Sequence, residues 1–269
     1  METLFIQTQG GAIAYDSRGE GHAVVCVPGM GDLRGEYRFL AEQLASAGYR
    51  VITMDIRGHG ESSIRWPDYS VAGVGRDIVA LLRQLNAGTA TIIGTSMAAG
   101  AAAWAATEAP ELVSSLVLIG PAVHYKPNWQ SRLLYGALFS RPWGPGMWIT
   151  YYAMLYPTRK PADFEAYRQK LRANLSEHGR MEALVQMMLT SQSAAEERLS
   201  KVAVPTLILM GSKDPDFKDP QAEAQWVAEQ VRGKFYIIEG AGHYPHAEMP
   251  EIAGGHILAF LNELAEKSN

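Results

Sequence analysis

The segment 90–102, with the sequence ATIIGTSMAAGAA, limits the possible folds of this chain more than any other stretch. Its first part is a short β-branched apolar run, which is typical of a buried strand. Its second part is rich in alanine and has a high helix propensity. Ser96 lies between the two parts, with the small residues Gly94 and Ala98 two positions away on either side. This pattern predicts a sharp strand–turn–helix in which the serine has a strained backbone and its hydroxyl lies near a helix N-terminus.

Composition excludes several other classes of protein. The chain has 269 residues, of which 47% are hydrophobic, and a formal charge of −4, which suits one large α/β domain with an insertion or two small domains. The mild acidity and the lack of a Lys/Arg cluster argue against a nucleic-acid partner. The single cysteine, Cys26, lies in an apolar run and is predicted to be a buried core residue. We expect neither a signal peptide nor a membrane span, and hence a cytoplasmic protein, because the N-terminus lacks a basic and apolar leader and no apolar run reaches 18 residues.

Short apolar runs alternate with helical stripes over most of the chain. After an N-terminal hairpin built from residues 3–8 and 12–16, the predicted strands are 24–27, 51–54, 91–93, 116–119, 206–210 and 235–238. The predicted helices between them are joined by short loops. This β-α-β-α order predicts a doubly wound α/β fold, with a parallel sheet that carries helices on both faces.

The alternation stops between residues 121 and 200, where no strand is evident. This segment contains three of the tryptophans and six of the tyrosines, together with two helical stripes, and it predicts about four short helices inserted into the sheet domain. Short helices are not stable alone, so part of their aromatic and methionine surface is expected to face the domain below. We therefore divide the chain into a core, 1–120 and 201–269, and an inserted helical cap, 121–200.

Three polar residues, Ser96, Asp214 and His243, each come just after a predicted strand and are flanked by glycine or proline. In doubly wound sheets the loops at the carboxyl ends of the strands bring such residues together. Cleavage of an ester or amide by serine needs a base, a carboxylate that orients the base, and amide donors for the oxyanion. The natural oxyanion-hole donors here are the backbone N–H groups of Met97, at the helix N-terminus, and of Met30, in a glycine-rich loop.

The order and spacing of five motifs resemble those of the α/β-hydrolase-fold serine hydrolases. The motifs are VPGMGD at 27–32, DIRGHGES at 55–62, GTSMA at 94–98, GSKD at 211–214 and GAGH at 240–243. The resemblance covers nearly the whole chain and implies the family's mostly parallel, eight-stranded, doubly wound sheet with a helical cap. It also implies a catalytic triad in which Ser96 is the nucleophile, His243 the general base and acid, and Asp214 the orienting carboxylate.

The chain departs from the family pattern at two places. Many relatives have His-Gly where this chain has Pro28-Gly29, but the oxyanion donor is the backbone of the next residue and should be kept. The elbow ends in Ala98 instead of glycine, which the small residues that follow it should tolerate. A serine nucleophile excludes the haloalkane dehalogenases and epoxide hydrolases, which resemble the family elsewhere but use aspartate.

Other polar residues near these motifs have structural explanations. His59 and Glu248 are expected to brace loops, and His246 is expected to be a packing or surface residue. Asp216 and Asp219 compete with Asp214 for the role of the acid, although Asp214 has the position that the family motif gives it. No cluster of His, Cys or carboxylate residues has the spacing of a metal site, so we expect no metal and no cofactor.

The sequence as a whole predicts a carboxylesterase-like serine hydrolase that cleaves a small-to-medium hydrophobic ester through an acyl-enzyme on Ser96. A cap rich in Trp, Tyr and Met, with little polar clustering, favours a largely apolar pocket. The predicted substrate contacts are Gly29, Asp32, Trp129, Trp148, Tyr152, Met188 and Tyr244. For Asp32, however, a loop-stabilising role is favoured. The expected partner is a small-molecule ester, and the chain could be a monomer or a homodimer.

Several alternatives stay open from the sequence alone. A perhydrolase (cofactor-free haloperoxidase), a carbon–carbon bond hydrolase, a thioesterase or a lactonase would share these motifs. A ligand receptor or signalling module with slow turnover could also keep this fold and all three triad residues.

Overall fold

An eight-stranded sheet forms the centre of the computed structural model, which describes residues 2–268. The strands are β1 (Leu4–Thr8), β2 (Gly11–Arg18), β3 (Ala23–Val27), β4 (Arg50–Met54), β5 (Ala90–Thr95), β6 (Val113–Ile119), β7 (Thr206–Gly211) and β8 (Lys234–Ile238). Their order across the sheet is β1-β2-β4-β3-β5-β6-β7-β8. The hairpin β1–β2 and the pair β2–β4 are antiparallel, and the pairs from β4 to β8 are parallel. The prediction of a mostly parallel, eight-stranded sheet is confirmed.

Helices pack on both faces of this sheet. They are α1 (Arg38–Ser46), α2 (Val71–Leu85), α3 (Met97–Glu108), α4 (Trp129–Leu138), α5 (Gly144–Met154), α6 (Phe164–Ser176), α7 (Arg180–Met188), α8 (Ser193–Leu199), α9 (Pro220–Val231), α10 (Pro245–Glu248) and α11 (Pro250–Ser268). Within residues 2–268, no helix is both long enough and apolar enough to cross a bilayer.

Alternate residues of each central strand pack into two different hydrophobic layers, one on each face of the sheet. In β3, Val25 and Val27 join the layer that contains α2, α3 and α9, whereas Val24 and Cys26 join the layer that contains α1 and α11. This alternation follows from the two-residue period of a strand, and it explains why β3 is apolar at every position. Cys26 is buried, as predicted.

Five helices, α4 to α8, lie between β6 and β7, where the sequence predicts about four. Helices α5, α6 and α7 share a separate aromatic core that includes Trp148, Tyr152 and Phe164. Helix α8 packs differently, because Ala195 belongs to the hydrophobic layer of the sheet and faces α3. A Cβ added to Gly100 of α3 would lie only 2.8 Å from the Cβ of Ala195, so the two helices approach closely through small residues.

Candidate active site

Ser96 occupies the turn between β5 and α3 with φ 56° and ψ −122°, a backbone conformation that a residue with a side chain rarely adopts. Its N–H group donates a 2.8 Å hydrogen bond to the carbonyl of Ile119 in β6, which fixes the turn to the sheet. A Cβ at Gly94 would lie 2.4 Å from the carbonyl oxygen of Ala98, so only glycine fits there. The sharp strand–turn–helix predicted from the sequence is present.

His243 and Asp214 form a buried hydrogen-bonded pair beside this turn. Asp214 follows β7 and His243 follows β8, and Nδ1–H of His243 donates to Oδ2 of Asp214 at 2.7 Å. The side chain of His243 is 2% exposed and that of Asp214 is fully buried. This hydrogen bond fixes the tautomer of the imidazole and leaves Nε2 free to exchange a proton.

Asp216 adds a second carboxylate to the pair. Its Oδ2 lies 3.7 Å from Nδ1 of His243, and its N–H group donates to Oδ1 of Asp214 at 3.0 Å. The hydroxyl of Tyr151, on α5, donates to Asp216. Asp219 lies away from this group and caps α9 by accepting from the N–H of Ala222.

Burial and charge act in opposite directions on the pKa of His243. Burial in an apolar environment lowers it, but the negative charges of Asp214 and Asp216, together with the Asp214 hydrogen bond, outweigh that effect and raise the pKa to about 9. Asp214 orients the imidazole as a general base and acid requires, and a pKa of about 9 makes the ring a neutral base chiefly in alkaline solution.

These three side chains also bring potential ligand atoms within 4.8 Å of one another, although their spacing in the sequence is not that of a metal site. The sequence analysis predicted that one carboxylate would meet His243, but not that Asp214 and Asp216 would both do so. Nδ1 of His243 is already occupied by its hydrogen bond to Asp214. We therefore interpret these three side chains as an acid–base arrangement, in which two carboxylates face His243, and not as a set of metal ligands.

The loop that carries Met30 is held in place by buried partners. Nε2 of His59 accepts from the N–H of Gly31 at 3.0 Å, and Glu36 accepts from the N–H of Gly29 at 2.9 Å. Burial lowers the pKa of His59 to about 4, so the imidazole stays neutral and can accept this hydrogen bond. His59 thus braces the loop, as the sequence predicts.

The two residues predicted as oxyanion donors both lie at this site. Met30 lines the same cavity as Ser96. Met97 is the first residue of α3, where backbone N–H groups have no intrahelical partner and carry a partial positive charge.

Glu248 holds the loop that carries His243. Its Oε2 accepts from the N–H of Gly242 at 2.6 Å, and its Oε1 accepts from the N–H groups of Thr158 and Arg159 at 2.9 and 2.7 Å. The predicted bracing role is therefore present, and it extends to the segment after α5. His246 is a packing residue, as one of the two predicted options has it, because it is 1% exposed and its ring stacks on Tyr37.

Gly120 is a residue of the site that the sequence analysis missed. It follows β6 with φ 50°, and a Cβ there would lie 3.2 Å from Nδ1 of His243 and 3.3 Å from Oδ2 of Asp214. Any side chain at this position would press on the hydrogen-bonded pair. The available signal was a glycine directly after an apolar strand.

A cavity of about 760 Å³ opens above Ser96 and His243. Apolar side chains form much of the cavity wall. They are Met30, Val123, Leu138, Phe139, Trp148, Leu155, Met188 and Phe217. The prediction of a mainly apolar pocket therefore holds for this part of the wall. A cavity of this size suits a small-to-medium ligand.

The predicted substrate contacts divide into two groups. Trp148, Met188 and Tyr244 line the cavity. Gly29 does not, but it lies directly behind the nucleophile, because a Cβ there would be 3.4 Å from the Cβ of Ser96. It supports the serine turn and the Met30 loop instead of contacting a ligand.

Three further predicted contacts also do not lie in the cavity wall, and we correct them. Trp129 is 69% exposed at the start of α4. Tyr152 is fully buried in the aromatic core, where its hydroxyl lies 2.9 Å from that of Tyr156. Asp32 is also fully buried, and its Oδ1 accepts a 2.5 Å hydrogen bond from Tyr167, which agrees with the favoured loop-stabilising role.

The expectation of little polar clustering also needs correction. The wall of the cavity also includes His124, Lys126 and Glu223. Lys126 lies 2.8 Å from Glu196, and the His124 ring lies 3.4 Å from Glu223, 3.5 Å from Glu196 and 4.0 Å from the ring centroid of Trp226. No local pattern in the sequence indicates this cluster, because its members come from three separate segments.

The comparisons with known proteins agree with this fold. The family model for the alpha/beta hydrolase fold matches residues 22–250. A 3-oxoadipate enol-lactonase from Acinetobacter baylyi is 27% identical over 76% of this chain and 75% of its own length. Among solved structures, an esterase from Thermogutta terrifontis has a TM-score of 0.82 at 21% identity and covers 98% of this chain and 99% of its own. A bromoperoxidase from Bacillus anthracis has a TM-score of 0.84 at 22% identity, with 97% and 100% covered.

A strained serine between strand and helix, a buried His–Asp pair and a match over most of the chain define the class of protein. The chain belongs to the alpha/beta hydrolase fold family.

Proposed function

We propose that this protein is a serine hydrolase that cleaves a carboxylic ester, with Ser96, His243 and Asp214 as its catalytic triad. The observation that carries the proposal is the arrangement around one cavity. The cavity wall contains Ser96 and His243. Nδ1–H of His243 donates a hydrogen bond to Oδ2 of Asp214 at 2.7 Å. This is the set of groups that nucleophilic acyl transfer requires.

In the proposed reaction, Nε2 of His243 takes the proton of Ser96 as its Oγ attacks the ester carbonyl carbon. The resulting oxyanion accepts hydrogen bonds from the N–H groups of Met30 and Met97. His243 then gives its proton to the departing alcohol, and an acyl-enzyme remains on Ser96. A water molecule, deprotonated by His243, attacks the acyl-enzyme and releases the acid.

We propose that residues 121–200 act as the cap of this site. Helices α4, α5 and α7 contribute Tyr135, Trp148 and Met188 to the cavity wall, so they would enclose the ester and exclude water. The apolar part of the cavity wall supports a hydrophobic group on one side of the scissile bond, and the volume supports a small-to-medium ester.

A lactone is a second candidate substrate. A lactone is an internal ester, and the same acyl-enzyme mechanism opens it. The specific support is the enol-lactonase relative, which aligns with three quarters of this chain. Esters and lactones should therefore be tested side by side.

The first experiment measures hydrolysis of p-nitrophenyl esters from acetate to decanoate by the wild type and by Ser96→Ala. We expect turnover by the wild type and a loss of roughly a million-fold in the variant, because the nucleophile is removed. Thr95→Ser, one residue earlier on β5, is a matched control, and its turnover should stay close to that of the wild type. A fluorophosphonate probe should label the wild type and not Ser96→Ala.

Two outcomes would contradict the proposal. If Ser96→Ala kept the wild-type rate, another group would be the nucleophile. If the wild type showed neither turnover nor labelling, the triad would not be an activated one, and a binding role for this cavity would replace the enzymatic one. Labelling without turnover would direct the search to other acyl substrates, lactones first.

A further inference from the structure

Gln192 is a buried polar residue that the proposed mechanism does not use. It is 1% exposed, it lines the cavity above Ser96, and neither its Nε2 nor its Oε1 has a hydrogen-bond partner within residues 2–268. Buried side-chain amides are nearly always hydrogen-bonded, since an unpaired one loses its contacts with water and gains nothing in return. An amide left unpaired beside a ligand cavity indicates that its hydrogen-bond partner is a group on the bound ligand.

The backbone around Gln192 is fixed by hydrogen bonds of its own. Its N–H donates to the carbonyl of Tyr125 at 2.8 Å, and its carbonyl accepts from the N–H of Ala195 at 2.9 Å. These bonds tie the residue to the segment after β6 and to the first turn of α8. The amide is therefore presented from a rigid support, which is what a recognition group requires.

The charges on the same wall indicate what kind of group the amide would meet. Lys126 is paired with Glu196, and His124 lies between Glu196 and Glu223. Because Lys126 is already compensated by Glu196, the cavity wall, as the structure describes it, offers no unpaired lysine or arginine to an anionic substrate group. The amide of Gln192 is neutral and offers both a donor and an acceptor.

We propose that Gln192 is a specificity residue that recognises a neutral hydrogen-bonding group, such as a secondary amide or a hydroxyl, on a part of the ester other than the scissile carbonyl. The inference rests on the proposed esterase function and narrows its substrate class. The substrate has one apolar part, next to the methionine and aromatic side chains of the cavity wall, and a second part that ends in a neutral polar group.

The test compares esters that differ only in that polar group. In the acyl series, the p-nitrophenyl esters of 3-acetamidopropanoate, 4-acetamidobutanoate and 6-acetamidohexanoate are measured against hexanoate, heptanoate and nonanoate, which have equal chain lengths. In the alcohol series, acetamidoalkyl butanoates are measured against alkyl butanoates of equal length by pH-stat. The three lengths scan the position of the amide along the cavity.

We expect one amide ester to have a kcat/KM about 10- to 100-fold above that of its alkyl match. Gln192→Met, which keeps the length of the side chain without its polar atoms, should remove this preference, so that each amide ester reacts no faster than its alkyl match. Its urea midpoint should not fall, because an unpaired buried amide is replaced by an apolar side chain. Gln186→Met, at an exposed position of α7, is the matched control and should keep the preference.

The outcomes separate this inference from the function on which it rests. If the wild type hydrolyses neither series and is not labelled by fluorophosphonate, the proposed function fails. If it hydrolyses the alkyl esters but prefers no amide ester at any length, the role of Gln192 is wrong. The role is also wrong if Gln192→Met folds and slows both series equally, or if Gln192→Met and a second variant, Gln192→Leu, both lower the urea midpoint, since the amide would then be structural.

Discussion

His243 has two carboxylates near one ring nitrogen, and this sets its proton affinity. Oδ2 of Asp214 lies 2.7 Å from Nδ1 of His243, and Oδ2 of Asp216 places a second negative charge 3.7 Å from the same nitrogen. Burial lowers the pKa, but both charges favour the imidazolium and raise the pKa of His243 to about 9. Since the general base must be neutral, kcat/KM for an ester should rise with pH through this pKa.

Replacing Asp216 by Asn should move this pH profile to lower pH. Asp216→Asn removes the second charge but keeps an oxygen that can accept from Tyr151, so the pKa of His243 should fall by on the order of one unit. The rising limb of kcat/KM against pH, measured from pH 5 to 10, should shift by the same amount. Asp219→Asn, which keeps a good N-cap on α9, is the control and should leave the profile unchanged. An unchanged limb in Asp216→Asn would mean that Asp216 does not affect the base.

At the scale of single elements, the strands and the serine turn were predictable because their signals are local. Apolar runs identified β3, β5 and β7, and the small residues around Ser96 identified the turn. No such local signal predicts which side chains form the cavity wall. Trp129 was predicted as a contact because it is aromatic, but the face of α4 on which it lies is exposed. Gly120 was missed because the ring that would collide with a side chain there comes from a loop more than 100 residues later.

The position of α8 is another non-local feature, and it carries a prediction. Ala195 is fully buried against α3, at a place where even a Cβ on Gly100 would come within 2.8 Å. Ala195→Leu should therefore lower the free energy of unfolding by about 1–3 kcal/mol, because the extra atoms must push the helices apart.

Urea unfolding of Ala195→Leu measures this effect directly. Glu197→Leu is the matched control, since it introduces the same side chain at an exposed position of the same helix and should leave the midpoint nearly unchanged. If both variants unfolded at the wild-type midpoint, the contact between α8 and α3 would be looser than the structure has it. Because Gln192 immediately precedes α8, a shift of this helix should also disturb the cavity wall.

For the whole molecule, one buried carboxylate should make the fold less stable in alkali. Asp32 is fully buried and its Oδ2 has no hydrogen-bond partner within residues 2–268. Burial first, and then the charge of Glu36, raise its pKa from 3.8 to about 8. The folded protein therefore binds more protons than the unfolded chain between these pH values, and the free energy of unfolding should fall as pH rises through this window.

Asp32→Asn isolates this contribution. Its amide oxygen can still accept from Tyr167 and from the backbone of Leu33, but it has no charge to bury. Relative to the wild type, the variant should gain on the order of 4 kcal/mol of unfolding free energy between pH 5 and pH 8.5, as measured by urea unfolding at both values. Asp163→Asn is the contrast, because the hydrogen bond from Arg38 lowers the pKa of that exposed carboxyl. Relative to the wild type, the free energy of unfolding of this variant should not rise between the two pH values. A pH-independent difference for Asp32→Asn would mean that Asp32 is ionised in the folded protein throughout this range.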